Sequence, residues 1–487
     1  MEKSTVKQVT SGLIWTYAER MTAQFVTIVV TIILARIIPP QQYGIISIVN
    51  VFIAIANAFV IGGFGNSLVQ KKNADELDFS TVFYFSIAFS LVVYTMLFFA
   101  AGTIASFYKI PDLKLIIRVM AIRLPIAAIN SIQQAYISKQ MQFKKFFFST
   151  LGGTVVSAIV GISMAYKGFG IWSVVVQYLT NVCIDTIVLC FLSGWKPKKM
   201  YSHRRMRELF SYGWKIMCVS VMTTLYSNSR NLVIGKIFSS ENLAFSEKGE
   251  QFPSAIAGNI NSSITKVLFP VLAECQNDKE LLLRMVRRSI KVGTYVLFPI
   301  MFGFLVIAKP FILSFMTEKW IGCVPFLQIM CVVYALQPLQ TSSLQCIKAL
   351  GEGGVYLLID IVKKCVGILI LVITVLVSKK AILIVWGSLF TEMFSVIILF
   401  PINRKLITYH YRDQIWDILP NIFLTLVMCS VIWKINTFFN INSLILLILD
   451  IIVGAIVYVL LSIITRNENF KYVLSMVRSL LKSKGEK

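Results

Sequence analysis

The sequence predicts an all-α integral membrane protein of about 14 transmembrane helices, arranged as two pseudo-symmetric six-helix lobes plus two C-terminal helices. Three observations carry this reading. Of 487 residues, 57% are hydrophobic and only 14% charged, with a mean hydropathy of +0.75; in soluble chains about a quarter of the residues are charged. Apolar runs recur at close to the ~20 residues that a helix needs to cross ~30 Å of hydrocarbon. The second half also echoes the first at an offset of about 200 residues.

The runs fall at 11–38, 43–68, 80–105, 115–137, 147–166, 170–193, 209–238, 250–273, 292–315, 322–347, 354–377, 381–402, 417–437 and 443–465. The first is too long and too charged for a cleavable signal and lacks a small-residue cleavage site, so it is read as a retained span. The fourth and eighth are rich in Asn, Gln and Ser, as expected of helices that line water rather than lipid.

The repeat supplies the lobes. Gly12 and Trp15 correspond to Gly213 and Trp214. Leu34-Ala35-Arg36-Ile37-Ile38 corresponds to Ile234-Gly235-Lys236-Ile237-Phe238, and Ala105-Ser106-Phe107 to Leu313-Ser314-Phe315. An offset of six spans preserves orientation, which gives lobes at 1–193 and 194–402 and two extra helices with a basic tail at 403–487. Transporters built from such repeats hold their substrate between the halves.

Charge sets orientation. The formal net charge of +24 is strongly basic, but its distribution argues for topology rather than nucleic acid. Starting the chain in the cytoplasm places 28 Lys and Arg in inside segments and 7 in outside ones, the positive-inside pattern with both termini cytoplasmic. No outside segment exceeds about a dozen residues, which leaves no room for an external domain. The nine cysteines are scattered without a C-x-x-C pair, and His203 and His410 stand alone in loops, so no disulfide framework or metal site is indicated. Gly62-Gly63-Phe64-Gly65 and Gly168-Phe169-Gly170 lack the Gly-Lys-Ser/Thr of a nucleotide loop. With no nucleophile–base–acid set either, the chain reads as a transporter without a bound cofactor, energised by a gradient of H⁺ or Na⁺ or of the substrate itself.

A charged residue at bilayer depth costs ~2.5–3.5 kcal/mol or more, so each one present points to function or to pairing. On the first span Thr16, Arg20, Gln24, Thr27 and Thr31 follow at steps of four and three, one helix face, with Glu19 beside them. The fourth span offers Arg123, Asn130 and Gln134. The seventh offers Ser220, Thr224, Ser227 and Asn231 with Arg230, and the eighth Asn259, Ser262 and Lys266. Twelve basic residues against five clearly embedded acids (Glu19, Asp185, Asp360, Glu392, Asp450) make the interior cationic, which favours an anionic substrate. A guanidinium suits phosphate because it is planar, always charged and can bind two oxygens. The candidate substrate contacts are therefore Arg20, Gln24, Arg123, Asn130, Arg230, Asn259 and Lys266; Asp185, Glu392 and Glu19 are candidates for ion coupling. Asp360 is set to pair with Lys363 or Lys364 at i, i+3 and i, i+4.

These residues carry a resemblance. LARIIPPQQYG (34–44), GFGNSLVQKK (63–72), DFSTVF (78–83), MQFKKF (141–146), GFGIW (168–172), LFSYGW (209–214), LVIGK (232–236), QFP (251–253) and VLFP (267–270) resemble, in order, the bacterial polysaccharide exporters. These are the O-antigen and capsule flippases of the multidrug/oligosaccharidyl-lipid/polysaccharide superfamily. The resemblance implies a 14-helix transporter that moves undecaprenyl-diphosphate-linked oligosaccharide across the bacterial cytoplasmic membrane by alternating access. Its partners would be the lipid-linked substrate, membrane lipids, and a polysaccharide polymerase and glycosyltransferases. Ala244-Phe245-Ser246-Glu247-Lys248 departs from the tyrosine-rich, Asn-Arg-containing stretch usual there. Two rival readings are an ion-coupled multidrug exporter of the same superfamily and a membrane-embedded polymerase or glycosyltransferase. The excess of embedded basic residues argues against the first, and the lack of a large loop or acidic catalytic motif against the second.

Overall fold

The computed structural model describes residues 2–377, 379–438 and 442–485, so the outer loops expected at 378–380 and 438–442 fall partly outside the described residues. Every regular element described is helical. Eleven helical stretches among the described residues are long and apolar enough to cross a membrane. The seventh, eighth and eleventh expected spans are helical too, but too polar to qualify by composition: they are rich in Ser, Thr and Asn or, in the eleventh, carry Asp360, Lys363 and Lys364.

The chain divides into two compact units, Met1–Ala244 and Phe245–Lys487. The first contains α1 (Glu2–Ile37), α2 (Pro40–Ile61), α3 (Phe64–Gln70), α4 (Glu76–Tyr108), α5 (Asp112–Met120), α6 (Arg123–Lys139), α7 (Lys144–Tyr166), α8 (Ile171–Ser193) and α9 (His203–Ile237). The sequence repeat begins at α9, yet packing places α9 against α2, α3 and α4. One reason is Gly63, whose backbone lies against the Gly213 carbonyl so closely that a β-carbon would overlap it. The other is the segment between α8 and α9, strapped along the start of α4: Lys198 N donates to Ser80 Oγ at 3.0 Å and Ser202 N to Thr81 Oγ1 at 3.1 Å. Trp195 is buried there with Phe79, Ile132 and Leu209.

Helix α7 packs along α8 through a stripe of small residues at four-residue spacing: Ser149, Gly153, Ser157, Gly161 and Ala165, all buried. In lipid there is no hydrophobic drive between helices, so small residues that let backbones approach supply the contact. A β-carbon at Gly153 would lie 2.9 Å from the Asn181 carbonyl and 3.0 Å from Asp185 Cβ.

The second unit contains most of α10 (Ser240–Glu274), then α11 (Lys279–Val306), α12 (Ala308–Phe315), a 3-10 turn at Glu318–Cys323, α13 (Val324–Ala335), α14 (Gln337–Ala349), α15 (Gly353–Val377), α16 (Ala381–Ile407), α17 (Tyr411–Trp416), α18 (Leu419–Phe438), α19 (Ser443–Ile464) and the amphipathic, basic α20 (Glu468–Gly485). Helix α11 is its centre, in contact with α13, α14, α16 and α18. The two helices outside the duplicated set, α18 and α19, pack on each other and on α11 and α12.

The repeat read from the sequence recurs in the backbone. Helix α1 ends at Ile37 and α2 starts at Pro40; α9 ends at Ile237 and α10 starts at Ser240, the same two-residue break 200 positions on. A second pair of breaks went unread. The fourth span, expected as one helix, is split between α5 and α6 at Ala121–Ile122, and the tenth between α13 and α14 at Leu336. Proline is the cause. Pro125 has no N–H for the Ala121 carbonyl, which accepts instead from Leu124 N at 2.9 Å, a tighter turn that shifts the helix. Pro338 likewise leaves the Tyr334 carbonyl to Leu336 N.

Candidate functional site

In the first unit the break before Arg123 makes it the first residue of α6. Its guanidinium lies over the Tyr178 ring of α8, 5.3 Å from the ring centre, and its buried Nε has no hydrogen-bond partner among the described residues. The start of α6 adds its own partial positive charge at that point. No carboxylate within ion-pair distance of Arg123 occurs among the described residues.

Two turns further along α6, Asn130 is buried and bridges to α8. Its Nδ2 donates to Asp185 Oδ2 at 2.9 Å and to Thr186 Oγ1 at 3.0 Å, while Gln134 Nε2 donates to Asn130 Oδ1 at 2.7 Å. Of the predicted site residues, Asn130 and Asp185 are brought into direct contact. Glu19 of α1 accepts from Thr150 Oγ1 of α7 at 3.0 Å, and Asp185 lies within its electrostatic reach. Glu19 and Asp185 are thus hydrogen-bonded by a hydroxyl and an amide, with the neighbouring Arg20 charge also acting on Glu19. Arg20 is exposed, and Gln24, one turn on, is half-buried; Arg20 makes no ion pair or hydrogen bond among the described residues. Arg230 on α9 is half-buried and engaged within the fold.

The second unit treats charge differently. Lys363 Nζ of α15 lies 2.9 Å from Glu392 Oε1 of α16 and donates to Gln340 Oε1 of α14 at 3.1 Å, with Ser395 Oγ donating to the same amide oxygen at 3.2 Å. Glu392, a candidate for ion coupling, therefore belongs to a three-helix ionic cluster. Lys364 pairs with Asp360 at 2.7 Å, one of the two pairings expected. Asn259 spends its amide on its own helix, donating to the Ala255 carbonyl at 2.9 Å, and Lys266 is exposed. The sequence reading missed Asn261, which donates to Gln337 beside the second proline break. It also missed Tyr178 and Thr150. The signal available for these was Ser149-x-x-x-Gly153 opposite Asn181-x-x-x-Asp185, a small stripe facing a polar one.

At the cytoplasm-facing end expected for α4, Asp75 caps the helix: Asp78 N donates to Asp75 Oδ1 at 3.0 Å, and Asp75 N to Asp78 Oδ2 at 3.2 Å. Arg205 Nη1 of α9 meets Asp75 Oδ1 at 2.6 Å and the buried Asp78 at 3.2 Å. The Asp78 backbone N–H, then Arg205, hold the Asp75 carboxyl below the ordinary carboxylate range.

Eleven membrane-length helices among the described residues, a duplicated helical plan and paired proline breaks define an all-helical, multi-pass membrane protein. The chain matches the family model for polysaccharide biosynthesis proteins over residues 33–325 and belongs to that family. It is 24% identical to an uncharacterized membrane protein in the cps region of Klebsiella pneumoniae, over 96% of this chain and 97% of that one. It is also 24% identical to the teichuronic acid biosynthesis protein TuaB of Bacillus subtilis, over 72% and 73% of the two chains. Its fold is similar to that of the lipid II flippase MurJ in an inward closed conformation: TM-score 0.73, 15% identity, 94% of this chain and 99% of that one. The chain is a multi-pass membrane protein of the polysaccharide biosynthesis family.

Proposed function

We propose that this transporter moves an undecaprenyl-diphosphate-linked oligosaccharide across the bacterial cytoplasmic membrane by alternating access, for surface polysaccharide synthesis. The observation that carries the reading is Arg123, a guanidinium at a helix start, over an aromatic ring and with no carboxylate in ion-pair range among the described residues. Such a group is arranged for a diphosphate, which supplies the missing charge and accepts hydrogen bonds from both guanidinium edges. Arg20, which makes no ion pair or hydrogen bond among the described residues, adds a second charge, with Gln24, Asn130, Arg230, Asn259 and Lys266 as further contacts to the diphosphate or sugars. Asp185 and Glu19, whose hydrogen bonds come from neutral donors, exchange H⁺ or Na⁺ as coupling ions. Glu392 would do so only by parting from Lys363. Both termini lie in the cytoplasm, where glycosyltransferases load the substrate; the polymerase takes the product on the other side.

The test is complementation of a flippase-null strain, with lipid-linked intermediates measured on each leaflet. Arg20→Ala or Arg123→Ala abolishes export while membrane insertion persists. Arg20→Lys retains less activity than a point charge would, because the two-pronged geometry is lost. Normal surface glycan in cells carrying only Arg20→Ala and Arg123→Ala refutes the assignment.

A further inference from the structure

Asp450 stands apart from the other embedded acids of the second unit. It lies on the buried face of α19 with Leu447, Gly454, Tyr458 and Ser462, and is fully buried. Neither of its carboxyl oxygens has a hydrogen-bond partner among the described residues. It lines a groove of about 450 Å³ whose other walls are apolar, including Ile256 of α10, Phe304 of α11 and Met428 and Ile432 of α18. The polar side chain set against it is Asn436 of α18, whose amide nitrogen and oxygen are likewise without partners among the described residues.

No charged group of the packed helices answers it. Lys434 of α18 and Lys309 of α12 are exposed. Tyr295 of α11 donates to Ser462 Oγ at 2.8 Å and Tyr458 to the Tyr295 carbonyl at 2.8 Å, so both phenols are committed about two turns away. Cys429 of α18 is half-buried and does not line the groove. An isolated carboxylate among apolar walls is strongly unfavourable unless something neutralises it.

We infer that Asp450 is a reversible proton-binding site, with Asn436 as the partner that serves both of its protonation states. A carboxamide offers one acceptor and two donors. Turned one way it accepts the acid's O–H; turned the other it donates to the carboxylate. An organic ammonium fits the groove less well, because its further N–H groups would find only hydrocarbon walls. This site lies outside the duplicated helices, and it stands whether or not the lipid-linked substrate is correct.

The experiment uses the full chain in liposomes with dicyclohexylcarbodiimide, which labels protonated carboxyls in apolar surroundings. The acid's proton moves to a carbodiimide nitrogen, the carboxylate oxygen bonds the central carbon, and rearrangement leaves a stable N-acylurea. Mass spectrometry is expected to find one reagent mass on the peptide carrying Asp450, falling steadily with rising pH and absent in Asp450→Asn. Infrared pH-difference spectra supply a second readout that needs no reagent access: the protonated-carboxyl carbonyl band is lost in Asp450→Asn and displaced in Asn436→Leu. Identical infrared spectra for wild type and Asp450→Asn overturn the inference. Labelling that is insensitive to pH but blocked by an alkylammonium also overturns it, and places a cation there instead.

Discussion

The two units handle charge at membrane depth in opposite ways. In the second, Lys363 meets Glu392 at 2.9 Å and Lys364 meets Asp360 at 2.7 Å. In the first, the embedded acids Glu19 and Asp185 are held by a hydroxyl and an amide, and Arg123 rests on a ring. Ion pairs among Lys71, Asp75, Glu76, Asp78, Lys198, Arg204, Arg205 and Glu208 cluster where α4 and α9 begin. A matched pair ties helices together and answers to nothing outside. An unmatched charge is costly until something arrives to match it. The proposed substrate site in the first unit rests on that difference, and Asp450 is the exception in the second.

The largest effect should come from breaking a pair in the second unit. Glu392→Gln leaves Lys363 uncompensated between three helices, and removing one partner of a buried pair costs about 3–5 kcal/mol. Both side chains keep roughly a fifth to a quarter of their exposure, so the lower end of that range applies. The double variant Lys363→Met/Glu392→Gln should recover most of the loss. Melting of the purified protein in detergent reads both. Equal melting for the single variant and wild type would erase the contrast between the units.

Next in size is the reverse result in the first unit. Arg123→Ala loses a cation–π contact worth about 0.5–2 kcal/mol but relieves an uncompensated charge, so melting should shift little while export is lost. Asp185→Asn is smaller again in stability, because the amide oxygen can still accept from Asn130 Nδ2; about 1 kcal/mol is at stake. Its effect should appear in the ion dependence of transport, flattened in the variant. A drop in melting as large as that of Glu392→Gln would show that Asp185 is a structural tie rather than a coupling group.

How much of this could be read from the sequence follows from which forces act locally. The helical class and the repeat were legible because hydropathy and the two-residue breaks after Ile37 and Ile237 are written in contiguous residues. The Asp360–Lys364 pair was legible because i, i+4 spacing fixes a distance within one helix. The Lys363–Glu392 pair was not, since 29 positions separate residues that only tertiary packing joins. The breaks at Ala121–Ile122 and Leu336 were in principle visible, because Pro125 and Pro338 sit mid-span, but hydropathy alone runs straight through them. The packing of α9 with the first unit depends on Gly63 meeting Gly213, a contact that no periodicity announces.

The smallest expected effect tests whether the pairs at the start of α4 belong to the pattern of ties. Asp75 has its carboxyl held low, first by the Asp78 backbone N–H and then by Arg205. A group whose folded value is depressed contributes stability that is present above its unfolded value of about 3.9 and lost as pH falls through the lower folded value. Wild type should therefore lose melting temperature on acidification below about pH 4 more steeply than Asp75→Asn, which cannot titrate yet still caps the helix. Because the Asp75 side chain is 52% exposed, solvent screens the Arg205 contact and the gap should be slight. Asp75→Ala separates the two contributions: it removes the cap as well, at about 1 kcal/mol, and that loss should appear at neutral pH, where the Asn variant stays close to wild type. If Asp75→Asn and Asp75→Ala melt alike at neutral pH, the cap is idle and the strap from α8 to α9 holds the start of α4 by itself.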